Sequence, residues 1–338
     1  MKRLVLLACI LLVPVASAYA QFNFINIDCT ANGETSARSI NNFGEIVGRT
    51  GQNGNDHAVL IKRGKCIPLA PNTILGTNWS EAFKNNDRGD VVGEYDDSAG
   101  AHGFLLSKKG VLTTLDFPGA SDTVAYGINE FGTVVGEFDL FDSDGNFIAE
   151  HGFTWKKGSF SQVDYPDSAD TFVGGINDFG ALVGSWDAAP DYTGHGFVRS
   201  ITGKFTTYDV PVTGAILSQL NDINDLGLMI GIYYDAGDLV HGFLQVGRWF
   251  TSLDYPAAYE TSTWRINIFG LIVGNHYDSA SDSANFISHG YLAVANGKHD
   301  IAQHLLPTPP EPANAVDAQG NAAGSRLHTN ARHHFAIK

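Results

Sequence analysis

The stretch INEFGTVVG, residues 128–136, decides the fold because versions of it recur along the whole chain. Clear copies begin at Ile40, Ile176, Ile223 and Ile266, and two weaker copies begin at Asn85 and Val316. The seven copies are separated by 46 residues on average. A fixed period of this length is typical of proteins that repeat one small structural unit. Seven such units account for essentially the whole chain, so we predict a single domain over residues 21–338.

Each unit reads as two β-hairpins. Residues 123–129 and 133–138 are rich in Val, Tyr and Phe and flank a glycine-containing turn, which favours two paired strands. Residues 151–155 and 160–165 form a second pair around the turn KKG. Four antiparallel strands per repeat is the content of a β-propeller blade. The sequence therefore predicts an all-β, seven-bladed β-propeller with four antiparallel strands in each blade.

The two ends of the chain predict how the ring closes. Residues 22–28, FNFINID, match the fourth strand of a unit, whereas residues 333–338, HHFAIK, match the third. The last unit therefore lacks a fourth strand, and the N-terminal segment supplies one. We predict that these two segments pair, because this pairing leaves no open sheet edge between the first and last blades.

The first twenty residues read as a secretory signal peptide. Lys2 and Arg3 precede an apolar run over residues 4–15, and the small-residue pattern AYA ends at Ala20. We therefore expect residues 1–20 to be removed and the protein to be secreted or periplasmic. No later apolar run reaches the length of a membrane-spanning helix, so we predict no membrane span.

Two cysteines, Cys29 and Cys66, remain after removal of residues 1–20. An oxidising compartment permits a disulfide between them. However, the repeat alignment places them at opposite ends of equivalent strands in neighbouring units, so we expect them to stay unpaired.

Composition excludes several classes of function. The formal net charge of −15 repels polyanions, so we predict no binding to nucleic acid. The chain contains no P-loop, nucleophile elbow, zinc-protease helix or CxxC pair, and we assign no catalytic residue. These observations favour a monomeric, non-catalytic binding module.

The pattern IN-x-x-G-x-[IV]-V-G followed by H-[GA]-F resembles the bacterial HAF repeat of predicted extracellular proteins. The similarity covers essentially the whole chain after residue 20 and recurs in every unit. The resemblance implies export and a β-propeller-like repeat fold. It implies no particular activity and no catalytic residues.

One histidine recurs at the same position in all seven units. We interpret it as a structural residue that bonds between strands or to a repeated aspartate such as Asp116 or Asp209, because a residue present in every blade is seldom a site. The seven are His57, His102, His151, His195, His241, His289 and His333.

The third unit contains a long acidic loop, LFDSDGNFIAE. Its acidic residues Asp139, Asp142, Asp144 and Glu150 could surround Ca²⁺, which prefers oxygen ligands. The loop matches only half of a calcium-binding pattern because Leu140 stands where the first acid belongs. A solvated acidic loop is the alternative.

A column of variable residues lies two positions before each repeated Ile and includes Arg38, Tyr126, Asn221 and Trp264. We place this column on the innermost strand, at the mouth of the central channel. Together with Arg265, these aromatic and polar side chains suit a carbohydrate, a peptide or a small molecule. Packing between unequal blades explains them about as well.

We therefore predict a binding site at the channel mouth or elsewhere on the face that carries the long loops, because function in repeat folds concentrates in the variable parts. An extracellular lyase or hydrolase that acts on a carbohydrate or a small molecule in the channel is the alternative.

Overall fold

The computed structural model describes residues 22–29, 34–52, 55–69, 79–188, 193–284 and 287–295. These residues form 24 β-strands in six four-stranded antiparallel sheets and one short helix, α1, at Ala280–Ala284. No helix in these ranges is long and apolar enough to cross a membrane.

The sheets are the blades of a six-bladed β-propeller. From inner to outer strand, blade 1 consists of Glu34–Ile40, Ile46–Gln52, Asn55–Lys62 and Lys65–Pro68 (β2–β5). Blade 2 consists of Ser80–Asn85, Val91–Asp97, Gly100–Leu106 and Leu112–Leu115 (β6–β9). Blade 3 consists of Asp122–Ile128, Val134–Phe141, Phe147–Lys156 and Ser159–Val163 (β10–β13). Blade 4 consists of Asp170–Ile176, Leu182–Ala188, Thr193–Arg199 and Phe205–Tyr208 (β14–β17). Blade 5 consists of Leu217–Ile223, Leu228–Tyr234, Val240–Val246 and Trp249–Leu253 (β18–β21). Blade 6 consists of Glu260–Ile266, Leu271–Tyr277 and His289–Ala295 (β22–β24), with Phe22–Ile27 (β1) as its outer strand.

The predicted number of seven blades is wrong. The sixth sheet takes β1 as its outer strand, with Phe22 opposite Ala295 and Ile27 opposite Gly290. Residues 333–338, the predicted partner of residues 22–28, lie outside the described residues, as does the seventh copy of the repeat. Counting repeats overestimated the blades because the N-terminal strand completes the sheet of the sixth unit.

The repeated Asn and Gly build the turn between the first and second strands. In blade 3, the Asn129 side-chain oxygen accepts hydrogen bonds from the backbone N–H groups of Phe131 and Thr133, each at 3.0 Å. Gly132 adopts a φ of 71°, a conformation that glycine tolerates best. The pattern IN-x-x-G is thus a hairpin signal, as the sequence indicated.

The same asparagines also link each blade to the next. Each side-chain amide donates to the backbone oxygen of the equivalent Asn in the following blade, over 2.9 to 3.4 Å. The network runs from Asn41 through Asn86, Asn129, Asn177, Asn224 and Asn267 and returns to Asn41. One side chain therefore satisfies both its own turn and the neighbouring blade.

The second glycine of the repeat lets an aromatic ring pack closely on the sheet. A Cβ added at Gly136 would lie 1.9 Å from the Val124 carbonyl oxygen and 2.9 Å from the Phe153 ring. Phe153 is fully buried with Ala125 and neighbouring apolar residues. The pairing of V-V-G with H-G-F in the repeat is therefore a packing requirement of each blade.

Cys29 and Cys66 form a disulfide, so the expectation that they stay unpaired is wrong. Cys29 follows the outer strand of blade 6, and Cys66 lies in the outer strand of blade 1. Aromatic pairs occupy this place between other blades: Phe117 with Phe160 and Tyr165 with Phe205, each at 5.3 Å. The twist of the blades brings the end of one outer strand to the start of the next, which the linear alignment did not represent.

Candidate functional site

Every innermost strand contains a β-bulge at the variable column. The register of each inner hairpin skips one residue, as between Ala125 and Gly127 in blade 3. The skipped residues are Arg38, Phe83, Tyr126, Gly174, Asn221 and Trp264. A bulge residue has no ladder partner and is re-aimed away from the regular pleat.

Four aromatic rings and one guanidinium group form a continuous arc at this level of the channel. The Phe83 and Tyr126 ring centroids lie 4.8 Å apart, and Tyr126 meets Phe172 edge to face at 4.9 Å. The Arg38 guanidinium carbon lies 4.2 Å from the Trp264 ring centroid and 5.3 Å from that of Phe83. The arc spans blades 6, 1, 2 and 3 and reaches blade 4.

Carboxylates hold the cationic side of this arc in place. The Arg38 Nε lies 2.6 Å from one oxygen of Glu81 and its Nη2 lies 3.3 Å from the other, a two-point ion pair. Arg49 lies 3.6 Å from the same Glu81 and 2.9 Å from Asp56. Glu81 is almost fully buried. The two arginines compensate its negative charge, which would be costly to bury alone.

A second group of acidic residues lies next to Tyr126. The Tyr126 hydroxyl donates to Glu137 at 2.8 Å. Burial, and then the neighbouring Glu150 and Asp139, raise the pKa of Glu137 well above its usual value. Burial, and then Asp139, raise the pKa of Glu150 to about 8. Burial therefore favours the neutral form of these two carboxyl groups over the carboxylate.

The centre of the channel is filled by charged side chains that cross from blade to blade. Arg265 is 3% exposed and donates to the backbone oxygens of Tyr126, Gly174, Asn221 and Trp264 over 2.5 to 3.2 Å. A second crossing contact joins the Lys84 ammonium to the Asp222 carboxylate at 2.7 Å. These contacts connect the inner strands on opposite sides of the channel.

All five predicted ligand-binding residues lie in this one cluster, but they differ in exposure. Arg38 and Trp264 are partly exposed, and the Trp264 indole N–H donates to the side-chain oxygen of Asn275. Tyr126, Asn221 and Arg265 are buried. Only the Arg38 and Trp264 surfaces among the five are therefore open to a ligand without rearrangement.

The sequence prediction missed Glu81 and Phe172. Each lies two residues before the variable column, at Phe83 and Gly174 respectively, and therefore on the same side of its strand. Side-chain alternation along a strand is the signal that could have found them.

The repeated histidines lie on the third strands, away from the channel. Four of them pair through Nδ1 with the aspartate that follows the fourth strand: His102 with Asp116 at 2.8 Å, His151 with Asp164 at 3.1 Å, His195 with Asp209 at 2.7 Å and His241 with Asp254 at 3.0 Å. The corresponding distance from His289 to Asp28 is 4.0 Å. His57 lies in β4, and His333 is outside the described residues.

The acidic loop of the third unit bonds mainly to itself. One oxygen of Asp142 accepts from the backbone N–H groups of Asp144 and Asn146, each at 2.9 Å. Glu150 lies instead with Glu137, in the pair of carboxyl groups beside Tyr126. In the described parts of the chain, no three His, Cys, Asp or Glu side chains are grouped as a metal site.

No protein-family model and no curated protein matches the chain, so its resemblance to the HAF repeat is unconfirmed. Solved β-propeller structures are similar to it. A catalytically inactive virginiamycin B lyase from Staphylococcus aureus with quinupristin is 13% identical with a TM-score of 0.46, covering 81% of this chain and 100% of that one. A streptogramin B lyase is 13% identical with a TM-score of 0.44, covering 80% and 97%. The β-propeller domain of the Trilobed protease from Pyrococcus furiosus is 9% identical with a TM-score of 0.41, covering 78% and 93%. These similarities concern the fold alone.

Proposed function

We propose that this protein is an exported, non-catalytic binding module that holds a carbohydrate, a peptide or another small polar molecule in its channel. The site is the end of the channel at which the inner strands begin, which we call the long-loop face. The observation that carries the proposal is the partly exposed pair of Arg38 and Trp264, stacked at 4.2 Å. Glu81 already holds the Arg38 guanidinium group, and Asn275 holds the Trp264 indole N–H. Such fixed side chains lose little conformational freedom when a ligand binds.

The chemistry of this surface favours a flat, polar ligand. An indole ring stacks on sugar rings or on planar groups of a peptide, and a guanidinium group donates hydrogen bonds to hydroxyl and carbonyl oxygens. The buried carboxyl groups of Glu137 and Glu150 lie beside Tyr126 at the same level and add polar groups to this surface.

Export is supported by the disulfide between Cys29 and Cys66. Disulfides persist in oxidising compartments and are rare in the cytosol. The signal peptide at residues 1–20 and a secreted or periplasmic location remain predictions. Sequencing the N-terminus of the protein recovered from its native compartment tests both.

Substitution of Trp264 tests the site. We expect Trp264→Ala to weaken the binding of a carbohydrate or peptide selected from an array by about 1 to 3 kcal/mol, as for a central aromatic anchor. Trp249→Ala is the matched control. Trp249 is 66% exposed and begins β21, the outer strand of blade 5, at the end of the blade away from the proposed site. Calorimetry on variants with an unchanged circular dichroism spectrum gives the affinities. Full affinity in folded Trp264→Ala would remove this surface as the site.

A lyase or hydrolase is the second candidate, and one specific observation favours it. Glu137 and Glu150 are adjacent carboxyl groups with raised pKa values, the property of a general acid. The same binding experiment separates the two candidates if the ligand is recovered afterwards. An unchanged ligand supports the binding module, whereas cleavage that is lost in Glu150→Gln without loss of binding supports the enzyme.

A further inference from the structure

The opposite end of the channel, which we call the short-turn face, contains a cavity of about 70 Å³. Every blade lines it with the last residue of its inner strand, the repeated asparagine and the residue that follows. The Lys84–Asp222 ion pair crosses the channel one residue deeper than these. The cavity is therefore distinct from the proposed ligand site, which lies at the long-loop face.

Four carboxylates surround the outer level of this cavity. Each accepts the backbone N–H of the equivalent residue in the preceding blade, over 2.6 to 2.8 Å, so each is anchored to a different turn. The four are Asp87, Glu130, Asp178 and Asp225, and all are half-buried. Burial raises the pKa values of Glu130 and Asp178, and the neighbouring carboxylates add to the rise. A cation between them would relieve this repulsion.

The basic side chains of blade 2 pair with other acids. The Lys84 Nζ lies 2.7 Å from Asp222, and the Arg88 Nη2 lies 2.9 Å from Asp90. Within the part of the chain that the structure describes, no lysine, arginine or histidine forms an ion pair with the four carboxylates of the outer level. The outer level therefore carries negative charge that these residues do not compensate.

The inner level of the cavity is apolar except at one position. Asn85 stands in blade 2 where the other five blades have Ile40, Ile128, Ile176, Ile223 and Ile266. Asn85 is 3% exposed, and its side-chain amide donates to the Glu45 backbone oxygen at 2.9 Å. Its side-chain oxygen is buried without a hydrogen-bond partner. Because an unpaired buried acceptor is costly, this oxygen indicates a donor bound in the cavity.

We infer that this cavity binds the ammonium group of a small alkylamine. An ammonium group supplies positive charge for the carboxylates and N–H donors for the Asn85 oxygen. Its carbon chain matches the isoleucines of the inner level and the exposed apolar residues at the tips of the same turns. These residues are Phe43, Phe131, Phe179, Leu226 and Phe269. A bare metal ion would use the carboxylates but gain nothing from apolar walls.

Calorimetric titration of the full chain with n-hexylammonium chloride tests the inference. Hexan-1-ol has the same carbon chain without the charge, and we expect it to bind at least about tenfold more weakly. Asp178→Asn keeps an acceptor for the Glu130 N–H but removes one negative charge, and it should weaken n-hexylammonium binding about tenfold. Asn85→Ile installs the residue of the other five blades and should weaken binding about fivefold.

Asp167→Asn is the matched control. Asp167 is exposed in a turn at the long-loop face, and asparagine tolerates its φ of 62°. This variant loses the same charge as Asp178→Asn and should bind n-hexylammonium with wild-type affinity. Circular dichroism verifies the fold of each variant, and Glu130→Gln replaces Asp178→Asn if the latter does not fold.

Four results would overturn the inference. They are no binding of n-hexylammonium at millimolar concentrations, equal affinity for hexan-1-ol, equal losses of affinity in Asp178→Asn and Asp167→Asn, and binding of Ca²⁺ in place of n-hexylammonium. The third result would indicate a general effect of net charge, and the fourth a metal site.

Discussion

Removal of the disulfide should lower the stability of the propeller substantially. The bridge between Cys29 and Cys66 joins residues 37 positions apart and connects the outer strands of blades 6 and 1. Closing a loop of this length in the unfolded chain corresponds to about 4 kcal/mol at 25 °C in the chain-entropy description. We therefore expect Cys29→Ala with Cys66→Ala to lower the unfolding midpoint by roughly 10 °C in a domain of this size.

The repeat itself provides the matched control. Cys29→Tyr with Cys66→Phe places at this seam the aromatic pair that Tyr165 and Phe205 form between blades 3 and 4. An aromatic pair of this kind contributes about 0.5 to 1.5 kcal/mol beyond its buried area, so the Tyr/Phe variant should be more stable than the Ala variant. Thermal unfolding followed by tryptophan fluorescence, with and without reductant, measures all three proteins. The reasoning is refuted if reductant leaves the wild-type midpoint unchanged.

Two further predictions concern the repeated histidine and the buried acids. His195→Ala should lower the free energy of unfolding in urea by about 1 kcal/mol, because it removes the 2.7 Å contact to Asp209 and the stacking on Trp186. Ligand affinity that falls while stability holds would contradict this structural role. For Glu150, the folded-state pKa of about 8 exceeds the ordinary value of 4.5, so the folded state binds more protons between these pH values. Wild-type stability should therefore decrease as the pH rises from about 4.5 to 8, and Glu150→Gln should decrease less; parallel stability curves of the two proteins would exclude this contribution.

The strands and turns of each blade were predictable from the sequence because their determinants are local. The Asn129 side-chain oxygen and Gly132 form the turn within one hairpin, and Val135 and Phe153 mark strands by residue type alone. The number of blades was not predictable in the same way. Every blade uses the same hydrogen bonds to its neighbour, so these contacts are compatible with six or seven units. The count depends on one long-range event, the pairing of Phe22–Ile27 with the third strand of the sixth unit.

The candidate site was predictable in position but not in detail. Variation at Arg38, Tyr126 and Trp264 indicated the channel, because neighbouring positions repeat and these do not. The sequence did not indicate the bulge that aims them inward, since a bulge is a property of strand register. It also did not indicate that Arg265 is buried, because the four carbonyl oxygens that bind it come from four different blades.

The bulge in every inner strand makes the channel lining separable from the scaffold. The same backbone position is occupied by Gly174 in one blade, by the charged Arg38 in another and by the large Trp264 in a third. The strand register skips one residue at each of them. Ladder hydrogen bonding therefore places little constraint on which residue stands there. A combinatorial library restricted to these six positions would change the chemistry of the channel while preserving the architecture, so new specificities can arise in this fold by substitution alone.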